Sequence, residues 1–147
     1  MVGSVEISAR ACEPDLISSP VVNQLYIAVD SDVSHFSSNL PVVLIDTGSN
    51  QIPGTDSSRY AKARSLFLDT DGSGQATGAG TADFAGPVGI RVRGRSSTQF
   101  PKKQYKVETW DDRGEDREVG LLGMPSESDW VLCGPYSDKT LMRNYLA

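Results

Sequence analysis

Apolar and polar residues alternate in two neighbouring stretches, 90–93 and 103–107. Successive side chains of a strand point to opposite faces, so each stretch predicts a strand with one packed face. Gly94 ends the first strand, and Pro101 holds the residue before it extended just ahead of the second. The two strands and the turn between them therefore predict a hairpin.

Four apolar runs predict further strands: 25–29, 41–46, 65–68 and 129–133. The run 41–46 has no polar break before its aspartate, which predicts a central strand buried on both faces, and 129–133 is also predicted to be buried. Residues 81–84 are expected to pair with 65–68 across a glycine-rich loop. Ser137 and Asp138 begin a predicted helix, with Ser137 as its N-cap. The expected fold is therefore α+β and mostly β, with an antiparallel sheet and a C-terminal helix.

The composition fits one β-rich domain. The chain has 147 residues with 14 glycines and 8 prolines, which favours many turns and short strands. Its formal net charge is −5, so the basic hairpin is a local feature and not the extended basic surface of a nucleic-acid binder. The sequence has no window of 18 apolar residues and no signal-peptide pattern at its start, so no membrane span is expected.

Other segments carry weaker patterns. Residues 1–22 show little periodicity and are interpreted as a linker or poorly ordered lead-in, with a frayed edge strand as the alternative. Cys12 and Cys133 lack the spacing of a metal site, and whether they pair is left open. Residues 69–74 look like the first half of a calcium loop, but Gly80 stands where such a loop requires its glutamate. A hairpin turn is the favoured interpretation, and no metal site is predicted in this chain.

The hairpin concentrates positive charge. Between Phe84 and Val107 the chain has six cationic residues and no acid: Arg91, Arg93, Arg95, Lys102, Lys103 and Lys106. Such a segment favours an anionic ligand, and the hydroxyls and backbone N–H groups of 96–98 are suited to an anion-binding nest. The alternative is a solvated hairpin whose charges pair with the acidic residues of 108–118.

Strand alternation separates the lysines of the hairpin. Lys103 shares a face with Tyr105 and Val107, so its ammonium is predicted to emerge from the packed side. Lys102 and Lys106 fall on the other face and are predicted to point to water. Lys103 is therefore the candidate for a partly desolvated contact with a phosphate.

A second motif suggests a different chemistry. Asp46 follows an apolar run and begins the sequence Asp-Thr-Gly-Ser, which resembles the catalytic loop of aspartic proteases. These enzymes use two carboxylates that share a proton, so a single copy requires a homodimer. Residues 121–123 are candidates for the supporting apolar-apolar-glycine segment. The alternative is an ordinary Asp-Gly turn after a strand.

Six segments occur in the order typical of one family. They are 39–47 (NLPVVLIDT), 90–97 (IRVRGRSS), 100–105 (FPKKQY), 121–125 (LLGMP), 129–132 (DWVL) and 136–144 (YSDKTLMRN). Over about residues 23–147 this set resembles the CotH family, the spore-coat protein H type of atypical protein kinase. Each segment alone is weak evidence for the family, whereas the six segments in this order are specific for it. The set also accounts for the motif at Asp46.

The resemblance implies transfer of the γ-phosphoryl group of ATP, with Mg²⁺ or Mn²⁺, to Ser or Thr of spore-coat or cell-surface proteins. It implies an atypical protein-kinase fold, of which residues 23–147 form the N-terminal portion with its small-lobe sheet. In the family the catalytic and metal-binding acids follow the position of Asn144. They are therefore expected downstream of Ala147, and this chain alone is expected to be inactive. The implied partners are a protein substrate and the remainder of the kinase domain, and the implied location is the bacterial cell surface, the spore coat or the extracellular space.

The resemblance also implies roles for individual residues. Lys103 is the candidate for holding the nucleotide phosphates. Supporting contacts are expected from Arg93, Arg95, Ser96 and Ser97, and further from Asp138, Lys139, Arg143 and Asn144. The alternative function is a surface or structural binding module that keeps the scaffold without catalysis.

Overall fold

Strands dominate the chain, as the sequence predicts. A computed structural model describes residues 4–142. Its strands are β1 (Val5–Ala9), β2 (Val22–Tyr26), β3 (Ser37–Ser38), β4 (Val42–Asp46), β5 (Ala61–Leu68), β6 (Ala76–Thr77), β7 (Ala82–Arg93), β8 (Gln104–Thr109) and β9 (Asp129–Leu132). Its helices are short, namely α1 (Ser31–Ser34) and a 3₁₀ helix (Ser96–Gln99). The prediction of a mostly β chain is therefore confirmed.

Hydrogen bonds join these strands into three sheets within the described residues. β1 pairs with β2, β3 pairs with β6, and a five-stranded sheet has the order β4-β5-β7-β8-β9. The pairs β4–β5, β7–β8 and β8–β9 are antiparallel. The predicted hairpin is confirmed as β7 and β8, in which Ile90 lies opposite Val107 and Arg93 lies opposite Gln104. β5 and β7 are neighbours, as the expected pairing of 65–68 with the following strand requires.

The chain forms two compact units, and each has apolar side chains at its centre. The first unit holds residues up to Gly48 together with Arg64–Gly86. In it Phe67 and Phe84 are buried, and their rings meet edge to face with centroids 5.9 Å apart. The second unit holds Ser49–Ala63 and the rest of the chain. Its most deeply buried side chains include Val88, Val107, Thr109 and Leu121.

Three strands differ from their predictions. β2 occupies Val22–Tyr26, earlier in the chain than the predicted 25–29. β4 is an edge strand with every residue half-buried, so the prediction of a central strand buried on both faces is wrong. β9 alternates between exposed and half-buried residues, and Val131 exposes 49% of its surface, so it is not the buried strand predicted. An apolar run shows that the faces of a strand are at least partly covered. Whether the strand lies at the centre or at the edge of its sheet depends on pairing with distant segments, which the run does not reveal.

A turn replaces the predicted helix at Asp138 within the described residues. The Oδ1 atom of Asp138 accepts hydrogen bonds from the backbone N of Thr140 at 3.1 Å and from its hydroxyl at 2.6 Å. Leu141 has a φ of 57°, which lies outside the helical region. The bonds of Asp138 form an Asx turn, and the left-handed backbone of Leu141 is incompatible with a helix that continues through it. Residues 143–147, over which the helix is predicted to continue, lie outside the described residues.

Part of the segment 1–22 forms a strand. β1 pairs antiparallel with β2 from Val5 opposite Tyr26 to Ala9 opposite Val22. The loop between them is closed by hydrogen bonds from the backbone N of Ser19 to the Ala11 carbonyl at 3.0 Å and from the Ala11 N to the Ser19 hydroxyl at 2.9 Å. Across residues 4–142, no helix has the length and apolar character that crossing a membrane requires.

Candidate functional site

A glycine shapes the turn between β7 and β8. Gly94 has a φ of 98°, a left-handed conformation that residues with a Cβ rarely adopt. A Cβ at this position would also overlap the Ser97 hydroxyl. The 3₁₀ helix follows and is closed by a hydrogen bond from the Phe100 N to the Ser97 carbonyl at 3.2 Å. The predicted break at Gly94 is confirmed, and Ser96 and Ser97 lie within this turn.

The two lysines before β8 have different environments. Lys103 is half-buried, whereas Lys102 is exposed. The Nζ atom of Lys103 donates to the carbonyl oxygen of Thr98 at 2.8 Å, which ties the lysine to the turn. An ammonium carries three N–H donors, and this bond occupies one of them. The exposures agree with the predicted separation of the two lysines, while the phosphate-binding role of Lys103 stays a prediction.

Lys106 does not point to water, so this part of the prediction is wrong. Its side chain exposes 27% of its surface, and its Nζ lies 3.3 Å from Glu108 Oε1. The same Nζ lies 3.0 Å from Asp129 Oδ1 and 5.8 Å from the centroid of the Tyr60 ring. Hydrogen bonds with the Tyr60 hydroxyl and with Asp129 raise the pKa of Lys106 above its usual value, against the opposing effect of burial. Strand alternation gives the face of Lys106 but does not reveal that Tyr60 covers it.

Tyr60 organises a cluster of aromatic and charged side chains on this face of the second unit. The Arg91 guanidinium lies 5.1 Å from the Tyr60 ring centroid, and its Nη1 donates to the Ser57 carbonyl at 3.2 Å. Trp110 meets Tyr60 edge to face at 6.2 Å, and a Cβ at Gly89 would overlap the Trp110 ring. We call the following side chains the Tyr60 cluster: Tyr60, Arg91, Lys106, Trp110, Glu108 and Asp129. Both of its cations are engaged by groups of the chain itself.

Arg93 lines an open cleft, and Lys103 is not among the described residues that line it. The cleft has a volume of about 660 Å³, and its lining includes Arg93, Gln104, Ser137 and Asp138. Arg93 Nη1 donates to Gln104 Oε1 at 3.1 Å, as expected for residues that lie opposite each other on paired strands. Alternation directs Lys103 and Gln104 to opposite faces because they are adjacent in sequence. The structure therefore brings Arg93 and Asp138 together at the cleft and leaves Lys103 at the turn.

Further candidates surround a pair of stacked rings. Tyr136 and Phe100 stack with centroids 5.3 Å apart, and the Lys139 Nζ lies 5.0 Å from the Tyr136 centroid. Asp138 exposes only 8% of its surface, and its carboxylate caps the turn at Thr140. Asp138 and Lys139 thus have structural contacts of their own. Two remaining candidates lie outside the described residues: Arg143 and Asn144.

The acidic residues after β8 form a turn. The Oδ1 atom of Asp111 accepts hydrogen bonds from the backbone N of Glu115 at 3.0 Å and of Arg113 at 2.8 Å. These bonds lower the pKa of Asp111, and the bond from Glu115 has the largest effect. Among residues 4–142, the ion pair that links the hairpin to 108–118 joins Lys106 to Glu108. The alternative prediction, that charges of the hairpin pair with the acidic residues of 108–118, is therefore confirmed for Lys106.

Four other cations of the hairpin have no carboxylate within 4.0 Å among the described residues. We call them the turn cations: Arg93, Arg95, Lys102 and Lys103. They lie at the end of β7, in the turn, and just before β8. The positive charge that remains available to an anion is therefore located at the turn and not along the whole hairpin.

Asp46 and Asp71 act as turn-forming carboxylates. Asp46 Oδ1 accepts a hydrogen bond from the Gly48 N at 2.7 Å, and Gly48 has a φ of 58°. Hydrogen bonds from Ser4 and Gly48 lower the pKa of Asp46. These features support the Asp-Gly turn over the protease interpretation. Asp71 likewise accepts from the Ser73 N at 2.8 Å, and residues 4–142 contain no group of three or more His, Cys, Asp or Glu placed to hold a metal.

Sequence reasoning missed the role of Tyr60. It lies between predicted elements, and its partners Arg91, Lys106 and Trp110 are remote in sequence, so no local periodicity links them. One signal was present, because a glycine inside a strand often marks the close approach of another group. Gly89 is such a glycine, and the group that approaches it is Trp110.

Comparison with known proteins points to one family. The sequence model of the family described as CotH kinase protein matches residues 90–147. Searches among curated proteins and among solved structures found no match. The matched segment begins within β7 and contains the turn, β8 and β9, so it includes all four turn cations. Over residues 90–147 the chain is therefore similar to the CotH family, in agreement with the resemblance that its motifs indicate.

Proposed function

We propose that residues 23–147 form the N-terminal portion of a CotH-like protein kinase domain. The reaction is transfer of the γ-phosphoryl group of ATP, with Mg²⁺ or Mn²⁺, to Ser or Thr of proteins in the spore coat or at the bacterial cell surface. The observation that supports this proposal is the family match over residues 90–147. The turn cations lie inside that match and give the segment a surface suited to phosphate.

In this proposal the turn cations supply positive charge to the nucleotide. Phosphoryl transfer is stabilised by cations that are positioned before the reaction begins. Arg95 and Lys102 are exposed, whereas Lys103 is half-buried and fixed at the Thr98 carbonyl. Because Lys103 is the least exposed of the turn cations, water screens an ionic contact of its ammonium least. Phosphate binding is therefore expected to depend most on Lys103.

The hydroxyls of the turn complement these charges. Ser96 is exposed and Ser97 is half-buried, and both belong to the 3₁₀ helix between the cations. The Thr98 hydroxyl differs, because it donates to the Arg95 carbonyl at 2.8 Å. Hydroxyl and backbone N–H donors beside cations are suited to phosphate oxygens. We assign supporting phosphate contacts to Ser96 and Ser97, while Arg93 contributes from the side of the cleft.

The acids that bind metal and accept a proton belong to another part of the domain in this proposal. The resemblance to the family supports a position for these acids after that of Asn144. We therefore assign phosphate contacts to this chain and expect no transfer by its 147 residues alone. The partners of the reaction are a protein substrate and the remainder of the kinase domain.

Transfer of label from γ-labelled ATP to a protein acceptor, in Mg²⁺ or Mn²⁺, tests the proposal. The protein encoded by the complete gene is expected to label Ser or Thr of the acceptor. The 147-residue chain is expected to bind ATP, less tightly after Lys103→Ala, and to transfer nothing.

Two results would count against the proposal. If the encoded protein transfers no phosphate and ATP binding is unchanged by Lys103→Ala, a binding module on the same scaffold is favoured instead. Robust transfer by the 147-residue chain would contradict the assignment of the acids to another part of the domain.

A further inference from the structure

The turn between β7 and β8 is shaped by hydrogen bonds within itself. The Phe100 N–H donates to the Ser97 carbonyl at 3.2 Å. The Thr98 hydroxyl donates to the Arg95 carbonyl at 2.8 Å, and the Lys103 Nζ donates to the Thr98 carbonyl at 2.8 Å. These bonds join residues no more than five positions apart, so they shape the turn locally and do not tie it to another part of the second unit.

The segment that follows β9 packs on this turn at two points. The Tyr136 ring stacks on the Phe100 ring, with centroids 5.3 Å apart and an angle of 28° between the planes. A Cβ at Gly134 would overlap the Lys103 carbonyl oxygen, so the two backbones approach as closely as glycine permits. The Tyr136 N–H donates to the Gly134 carbonyl at 2.7 Å, which links the two contacts. The turn is therefore held from outside by residues 134–136.

We propose that Tyr136 is a positioning residue for the turn cations and acts through Phe100. Phe100 lies between the 3₁₀ helix and the two lysines, Lys102 and Lys103. Stacked rings keep a defined separation, so the stack limits where the turn can lie. Cations that are ordered before a ligand arrives lose less conformational freedom when they bind it. This role rests on the proposed function, because the phosphate that the turn cations bind is assigned there.

The exposure of Tyr136 separates this role from a role in the core. Tyr136 exposes 41% of its surface, whereas Val107 and Leu121 in the same unit expose none. Substitution of an exposed side chain usually changes stability little. Removal of the Tyr136 ring is therefore expected to loosen the turn and to leave the rest of the second unit folded.

Calorimetric titration of the 147-residue chain with ATP and with inorganic tripolyphosphate tests this proposal. Tripolyphosphate has no base, so a direct contact between Tyr136 and the base cannot affect its binding. Tyr136→Ala is expected to raise the Kd of both ligands about fivefold, because the cations must then be ordered on binding. Tyr136→Phe is the matched control, since it keeps the stacked ring, and it is expected to change each Kd by less than about twofold.

A double-mutant cycle with Phe100→Ala tests whether Tyr136 acts through Phe100. In the Phe100→Ala background, Tyr136→Ala is expected to cause no further change in either Kd. An effect of Tyr136→Ala as large in this background as in the wild type would overturn the proposal, because Tyr136 would then act through another contact. Weaker binding of ATP with unchanged binding of tripolyphosphate would also overturn it, in favour of a direct contact with the base.

Circular dichroism verifies the fold of each variant, and Tyr136→Leu, which keeps an apolar side chain without the stack, replaces the alanine variant if that one is unfolded. Lys103→Ala in the same titrations separates the two possible failures. If Lys103→Ala weakens tripolyphosphate binding and Tyr136→Ala does not, the turn binds phosphate but Tyr136 does not position it. If the wild-type chain binds neither ligand, or Lys103→Ala leaves both Kd values unchanged, the phosphate site itself is wrong and the role of Tyr136 is overturned with it.

Discussion

The cations of the hairpin fall into two groups whose surroundings differ. In the Tyr60 cluster, Lys106 lies 3.0 Å from Asp129 and 3.3 Å from Glu108, and Arg91 lies over the Tyr60 ring. The turn cations have no such carboxylate partner among the described residues. The two groups are only a few residues apart in sequence, yet one stabilises the second unit and the other remains open to a ligand.

This difference shows that a run of basic residues does not measure the capacity to bind an anion. A cation already paired with carboxylates must lose those contacts before it can bind a phosphate, which offsets the gain. A half-buried ammonium held by one carbonyl, such as Lys103, retains donors for a ligand. Substitutions in the two groups should therefore have different readouts, with folding stability reporting on the cluster and phosphate chemistry reporting on the turn.

Gly89→Ala is expected to have the largest effect on stability. A Cβ at Gly89 would overlap the Trp110 ring, so that ring and its contact with Tyr60 must shift. Overpacking of this kind costs up to about 3 kcal/mol of unfolding free energy. Urea denaturation measures the loss. Gly72→Ala is the matched control, because nothing lies within 4 Å of its added Cβ, and a change of less than about 0.5 kcal/mol is expected. A loss at Gly89 as small as that of the control would contradict the packing described for the cluster.

Lys106→Met is expected to reduce the unfolding free energy by about 2 kcal/mol at neutral pH, since it removes charge-assisted hydrogen bonds. The pKa of Lys106 is raised in the folded protein by Tyr60 and Asp129. A raised lysine pKa contributes stability that is complete below the unfolded value of about 10.4 and is lost as pH rises through the folded value. The deficit of the variant should thus be constant from pH 6 to 9 and shrink only in stronger alkali.

Urea titrations of Lys106→Met and of Lys102→Met at several pH values provide the measurement. The exposed Lys102 serves as the control, and its replacement is expected to change the unfolding free energy by less than about 0.5 kcal/mol. Equal losses for the two variants would remove the distinction between the cluster and the turn.

Tyr60→Phe is expected to have the smallest effect of the three, about 1 kcal/mol. It removes the hydroxyl that bonds Lys106 but keeps the ring against Arg91 and Trp110. A comparison of the thermal unfolding of Tyr60→Phe with that of Tyr60→Ala separates the contribution of the hydroxyl to stability from that of the ring. A phenylalanine variant as unstable as the alanine variant would show that the ring contacts contribute little.

The sequence was sufficient for the hairpin because its signals are local. Apolar and polar residues alternate along β7 and β8, and Gly94 has a left-handed φ. Each of these features depends on only a few neighbouring residues. The same alternation correctly separated the exposure of Lys103 from that of Lys102. Local signals thus predicted the turn and the position of its cations.

The features that the sequence did not predict depend on distant contacts. The face of Lys106 was predicted to be solvated because nothing near it in sequence shows that Tyr60 covers it. β4 lies at the edge of its sheet although its sequence has no polar break before Asp46. After Asp138 the chain forms an Asx turn, and the left-handed φ of Leu141, which the sequence pattern did not indicate, interrupts the predicted helix within the described residues.

The most direct test of the central claim compares two neighbouring lysines in one assay. In the protein encoded by the complete gene, we predict that Lys103→Ala lowers the rate of phosphoryl transfer at least tenfold, about 1.4 kcal/mol of transition-state stabilisation. Lys102→Ala should change the rate less than threefold, because an exposed ammonium makes only weak and screened contacts. A larger effect at Lys102 than at Lys103, or equal small effects at both, would contradict the assignment of phosphate binding to Lys103.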